Sequence, residues 1–200
     1  MKEWKKRLIA AAVFLALSLG LFLLCALDWW STPAARVAKR YMNAAIKSDY
    51  MALYHLFDPS VLEREMEQGG MDEEGLEQVA QTNAQLVEQF VAGVESDYGV
   101  RVAYTYAVTE ERELTPEQLE LLTLAYDADG FPIELLDGRH LTVRAAAKLT
   151  GEKGTEKLER ELELTVLQTP RGWCLDRDSM YVFWELLYAL PGFAWEHFGL

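Results

Sequence analysis

Cysteine is close to absent: 200 residues hold only Cys25 and Cys174. No intramolecular disulfide and no cysteine-based metal site is therefore expected, and the fold must stand on its apolar core. Histidine is nearly as scarce, with His55, His140 and His197 scattered along the chain. The sequence contains no G-x-S-x-G, no phosphate-binding glycine loop and no H-E-x-x-H, which removes the common hydrolase, nucleotide and zinc-protease signatures. Internal repeats and low-complexity linkers are missing too. Basic residues are few, at 19 against 32 acidic, and beyond residue 30 the balance is 15 against 30. Nucleic acid and anionic lipid surfaces both attract through Lys and Arg, so such a domain is expected to bind neither. Its dispersed acids read first as charge kept for solubility.

What is present begins with Leu8 to Leu27, twenty residues without a charge, enough for one helix across a hydrocarbon core of about 30 Å. Lys2, Lys5, Lys6 and Arg7 precede it, and Asp28, Trp29 and Trp30 follow. The basic start suits a cytoplasmic amino terminus, and the tryptophans suit the far interface, although Arg36, Lys39 and Arg40 narrow the asymmetry. A cleaved secretion signal is the alternative, but the run exceeds the usual apolar core of about 7 to 15 residues and no A-x-A site follows it. The expected protein is therefore single-pass in the cell membrane, with residues 1–30 as cytoplasmic start and anchor. Residues 31–178 form one extracytoplasmic domain, and residues 179–200 an aromatic-rich helical tail.

After the anchor, Thr32 and Pro33 open a helix with an apolar stripe at Val37, Ala38, Tyr41, Met42, Ala45 and Ile46. Asp49 is placed to cap Tyr50 to Phe57, Asp58 with Pro59 starts a third short helix through Met66, and Gly69 and Gly70 stop it. A long helix with an acidic outer face is expected from Asp72 to Glu95. The period then changes to two: Val100, Val102, Tyr104, Tyr106 and Val108 alternate as on a strand with one buried face. Thr115, Pro116 and Gln118 announce a capped helix ending near Gly130. Leu141 to Leu149 and Leu158 to Val166 alternate around Gly151 to Gly154 as a long hairpin, and Trp173 to Asp176 supply a last strand. The sum is an α+β fold: helices packed on a curved antiparallel sheet of about four strands, with an apolar C-terminal helix.

The opening helices, the long later strands and the closing Gly172, Trp173, Cys174, Leu175 resemble the nuclear transport factor 2-like superfamily, the cystatin-like α+β cone, and in particular its membrane-anchored bacterial members of unknown function. The resemblance covers Pro33 to Asp178 and rests on element order. It implies a cavity inside the cone, which some relatives use as isomerases or dehydratases and others as a binding or dimerising scaffold.

Candidate chemistry is sparse. His55 falls off the stripe Tyr50, Leu53, Tyr54, Phe57, and His140 shares the outward face of its strand with Thr142, Arg144 and Lys148, so both read as surface residues. Asp127 to Gly130 imitates half a calcium loop, but with Gly130 in sixth place the first and twelfth positions are Ala125 and Leu136. No catalytic residue, metal site or cofactor is expected. Tyr104 and Tyr106 face inward and are the candidate pocket lining, with a satisfied core tyrosine as the plainer alternative.

The tail is the remaining signal. Met180 to Leu190 carries one charge, Glu185, before Pro191 and Gly192, so a helix there must be covered on most sides. Its own domain, a protein partner or second copy, and the membrane interface are the three covers open to it. Tyr181, Phe183, Trp184, Leu187, Trp195 and Phe198 form the candidate docking surface. The expected function is a binding or assembly module without catalysis. The alternatives are a cone-cavity enzyme on a small apolar substrate and a subunit docked to another membrane protein by its tail.

Overall fold

The computed structural model describes residues 31–131 and 133–192. The apolar run Leu8 to Leu27 and the candidate residues Trp195 and Phe198 lie outside them. No described helix is long and apolar enough to cross a membrane.

Four acid or hydroxyl caps set the helical layer. Thr32 accepts from the backbone of Ala35 and opens α1 (Pro33–Ile46), with Pro33 in the first turn where a missing N–H costs nothing. Asp49 caps α2 (Tyr50–Tyr54), Asp58 caps α3 (Pro59–Gln68) and Asp72 caps α4 (Glu73–Tyr98). Each carboxylate accepts from an otherwise unpartnered N–H of the first turn, at 2.9 to 3.0 Å. Gly99, at a φ of 60°, ends α4 in the left-handed conformation and turns the chain straight into the sheet.

The sheet has four strands in the order β1 (Val100–Glu113), β2 (Asp137–Gly151), β3 (Gly154–Thr169) and β4 (Gly172–Leu175), every neighbour antiparallel. It curls into half a barrel. Register places Tyr104 opposite Ala147 and Val143 opposite Leu162, so period-two alternation sends Leu141, Val143, Ala145, Ala147, Leu162, Leu164 and Val166 to one concave face, where all are fully buried. A bulge between Val108 and Glu110 bends β1 near its end. The opposite edge, β4, is closed by the segment after α2: the Leu175 N–H donates to the Leu56 carbonyl at 2.7 Å.

Helix α1 fills the concave face together with the tail. The hydroxyl of Tyr41 donates to the Met180 carbonyl at 3.1 Å and accepts from the Phe183 N–H at 2.7 Å, deep in the core. Met180, Phe183, Leu186, Leu187 and Leu190 are buried in the same cluster as the sheet. The described part of the tail is thus covered by its own domain. Instead of one continuous helix it is a 3-10 turn, Arg177–Tyr181, and a single helical turn, α6 (Trp184–Leu187). Wrapping five apolar side chains over a curled surface requires the chain to bend, which a straight helix does not.

The helix α5 (Pro116–Ala128) keeps the expected capping box: Gln118 N–H donates to the Thr115 hydroxyl and the Gln118 side chain accepts from Thr115 N–H. It packs on the other side of the sheet. Leu167 and Cys174 point outward there and meet Tyr126, Phe131 and Val61 in a second, smaller apolar cluster. Helices therefore flank both faces at this end.

Candidate functional site

Tyr104 and Tyr106 occupy the inward face of the edge strand, half-buried, but they do not share a pocket. The Tyr106 hydroxyl donates to Asn43 Oδ1 at 3.0 Å and lies 3.3 Å from the Lys39 carbonyl, tying β1 to α1. Tyr104 sits edge-on to Phe183, ring centroids 5.5 Å apart. Its hydroxyl is buried without a hydrogen-bond partner. Burial pushes its pKa above the usual phenol range, and the nearby Glu95 carboxylate adds to that. The cleft it lines, about 260 Å³, lies between the end of α1 and the flank of α4. Glu95 is already engaged there, accepting from Val102 N–H at 2.8 Å.

A larger recess lies elsewhere, on the helical side. A groove of about 810 Å³ runs between α2, α3, the first turns of α4 and the 3-10 turn. Tyr54, Leu62, Met66, Met71, Leu76 and Met180 form much of its lining, with Glu65, Arg177, Asp178 and Tyr181 among its polar members. The reason it stays open is local. In α3 only Val61 is buried, because that residue turns toward Leu167 and Cys174 on the far side of the sheet. Leu62 and Met66, one turn apart, are left facing α4 and half-exposed.

One arginine organises the groove wall. Arg177 approaches Glu65 at 3.5 Å, Asp129 at 2.9 Å and Asp178 at 4.0 Å, and its guanidinium stands 4.7 Å over the Phe131 ring. It begins the 3-10 turn directly after Asp176, whose carboxylate accepts from the Tyr126 hydroxyl at 2.9 Å. Burial raises the Asp176 pKa, while hydrogen bonds from Tyr126 and the following backbone oppose the rise. Burial also raises the Tyr54 and Tyr181 phenols; Glu65 adds to both, and Tyr181 adds to the rise at Tyr54. Both are neutral hydroxyls at physiological pH.

Of the expected docking residues, Tyr181 alone belongs to this recess, 56% exposed. Phe183 and Leu187 are buried in the core, and Trp184 is half-buried against Tyr188, so these do not present a free surface. His55 is exposed. His140 is half-buried, its Nε2 2.8 Å from a Glu163 carboxylate oxygen. Asp127 to Gly130 closes α5 as a turn, with Asp129 paired to Arg177. Among the described residues no group of His, Cys, Asp and Glu could hold a metal ion. Met66, Met71, Val79 and Arg177 are not among the candidate site residues read from the sequence. The available signal was the apolar pair Leu62 and Met66 on a helix whose remaining face is charged. Compared with known proteins, the chain matches no family model, no curated protein and no solved structure.

Proposed function

We propose that the chain is a single-pass, membrane-anchored binding or assembly module, with the folded domain outside the cytoplasm and a nuclear transport factor 2-like arrangement of helices on a curled sheet. One observation carries the reading. The concave face, where a relative of that superfamily would keep its cavity, is packed with side chains from α1 and the tail, while the large apolar groove opens on the helical surface. A filled cone leaves little room for a small substrate; an open trough with methionines and tyrosines suits recognition, because Met side chains adapt to irregular partners. The anchor part of the proposal rests on Leu8 to Leu27 and its basic flank.

The test uses the full chain in lipid discs and an uncharged environment-sensitive apolar dye such as Nile red. Dye binding above empty discs, reduced at least about fivefold in Val79→Arg and Tyr181→Arg, is the expected result. Equal binding by all three proteins would remove the groove as a site. The runner-up, a small-substrate enzyme, draws on the unpartnered Tyr104 hydroxyl in its 260 Å³ cleft. It requires Tyr104→Phe to abolish turnover of an identified substrate while leaving the fold intact.

A further inference from the structure

Another cleft lies against the far end of α4, and the chain itself runs into it. Leu86, Phe90 and Gly93, at i, i+4 and i+7, share one face of the helix and line a cleft of about 260 Å³ together with Tyr98. Its remaining wall is the chain at Pro191 and Gly192, the last described residues. Gly192 lies against Tyr98: a Cβ there would stand 3.4 Å from the phenol oxygen. Gly93 leaves a notch in the helix face. A glycine inside a helix costs stability relative to alanine, and a Cβ on Gly93 would meet no atom of the described residues within 4 Å, so crowding by those residues does not account for it. The missing side chain leaves room beside Leu86 and Phe90 for another, and Tyr98 at the rim is 53% exposed. The cleft is smaller than typical ligand pockets, which hold about 300 to 1,000 Å³, and suits one or two apolar side chains.

We infer that this cleft on α4 is the docking site of the chain's own residues 193–200, which follow Gly192 and lie outside the described residues. Four of the eight are large and apolar: Phe193, Trp195, Phe198 and Leu200. Connectivity argues for this occupant. Consecutive Cα atoms are about 3.8 Å apart, so Phe193 starts at the cleft wall and three residues of chain keep Trp195 within about 11 Å of Gly192. A segment tethered so closely is present at an effective concentration on the order of millimolar, which a free partner or a second copy has to exceed. Seating an aromatic ring beside Leu86 and Phe90 takes apolar surface of both sides out of water. The cleft stands apart from the groove at the first turns of α4, and the reading of that groove does not bear on it.

Chymotrypsin, which cuts after Phe193, Trp195 and Phe198, tests this on the full chain in zwitterionic lipid discs, with cleavage followed by intact mass and thermal unfolding recorded for every variant. Gly93→Arg fills the notch and is expected to speed cutting in residues 193–200 at least about tenfold over the parent, because docking no longer competes with the protease. Gln81→Arg, at an exposed position on another face of α4, is expected to be cut at the parental rate. Phe193→Ser with Trp195→Ser leaves α4 and the described domain untouched and should speed cutting after Phe198 by a similar factor; this double variant decides the matter if Gly93→Arg loses its sharp unfolding transition. Equal rates in the parent, Gly93→Arg and the double variant would overturn the inference: equally fast, the segment is not docked; equally slow, lipid or another surface covers it. Protection that fades over about a hundredfold dilution of the protein would assign the cleft to the tail of a second copy and overturn it as well.

Discussion

Tyr104 and Asp58 show opposite fates for a polar group under a sheet edge. The Tyr104 hydroxyl is buried and unpartnered, and an unmet group of that kind costs about 1 to 3 kcal/mol. Tyr104→Phe keeps the ring against Phe183 and should raise stability by about 1 kcal/mol in thermal or urea unfolding. Asp58 is buried with every need met: Ser60 N–H and hydroxyl reach one carboxylate oxygen, the Thr169 hydroxyl the other at 2.7 Å, and Arg171 stands 3.7 Å away. Burial alone would raise its pKa, but the hydrogen bonds and Arg171 outweigh it and hold the carboxyl below the usual range. A native pKa below the unfolded one means that this stabilisation is fully present above the unfolded value of about 3.9 and is lost as pH falls through the native value. Asp58→Asn should therefore cost about 2 kcal/mol at pH 7. The gap between variant and parent should close in strong acid, as followed by urea unfolding at stepped pH.

Among the elements, the tail carries the clearest consequence. Leu186 and Leu187 are at most 1% exposed, whereas Tyr181, a few residues before, is 56% exposed. Leu187→Ala should cost about 2 to 5 kcal/mol through lost burial and the cavity left behind, and Tyr181→Ala within about 0.5 kcal/mol. Ending the chain after Ser179 removes Phe183, Leu186, Leu187 and Leu190 from the main core and leaves the Tyr41 hydroxyl without both of its partners. Loss of cooperative unfolding is the expected result, read by calorimetry; a truncated domain that still melts sharply would show the tail to be dispensable. For α5, Thr115→Ala breaks the capping box and should cost about 1 kcal/mol, without touching the main core.

At the scale of the whole molecule, the proposed topology makes a direct demand. If residues 31–200 stand outside the cytoplasm, alkaline phosphatase fused after Leu200 should be active and a green fluorescent protein fusion there dark. The reverse pattern would place the domain inside and remove the anchor orientation read from Lys2, Lys5, Lys6 and Arg7. The charge of the domain belongs to this scale as well: 30 acids against 15 bases after residue 30 repel one another and discourage close association of copies.

Local rules made most of the architecture legible. Period two on Val100 to Val108 and on both arms of the hairpin is a property of the extended chain itself, and Asp49, Asp58, Asp72 and Thr115 mark helix starts because a free N–H must find an acceptor within three residues. The helix starts, the strands and the hairpin follow from such short-range demands. The groove and the fate of the tail do not. Whether Phe183 and Leu187 face solvent or core depends on how far the sheet curls and on Tyr41, more than a hundred residues away, catching the backbone at Met180 and Phe183. Whether Leu62 and Met66 are buried depends on Val61 having been drawn to the opposite face of the sheet. Helix starts, strand alternation, the acidic charge and the apolar run Leu8 to Leu27 are all written in neighbouring residues. Tertiary structure alone decided which apolar residues were covered, because burial is a contest among surfaces distant in the chain, and no local pattern records which of them wins.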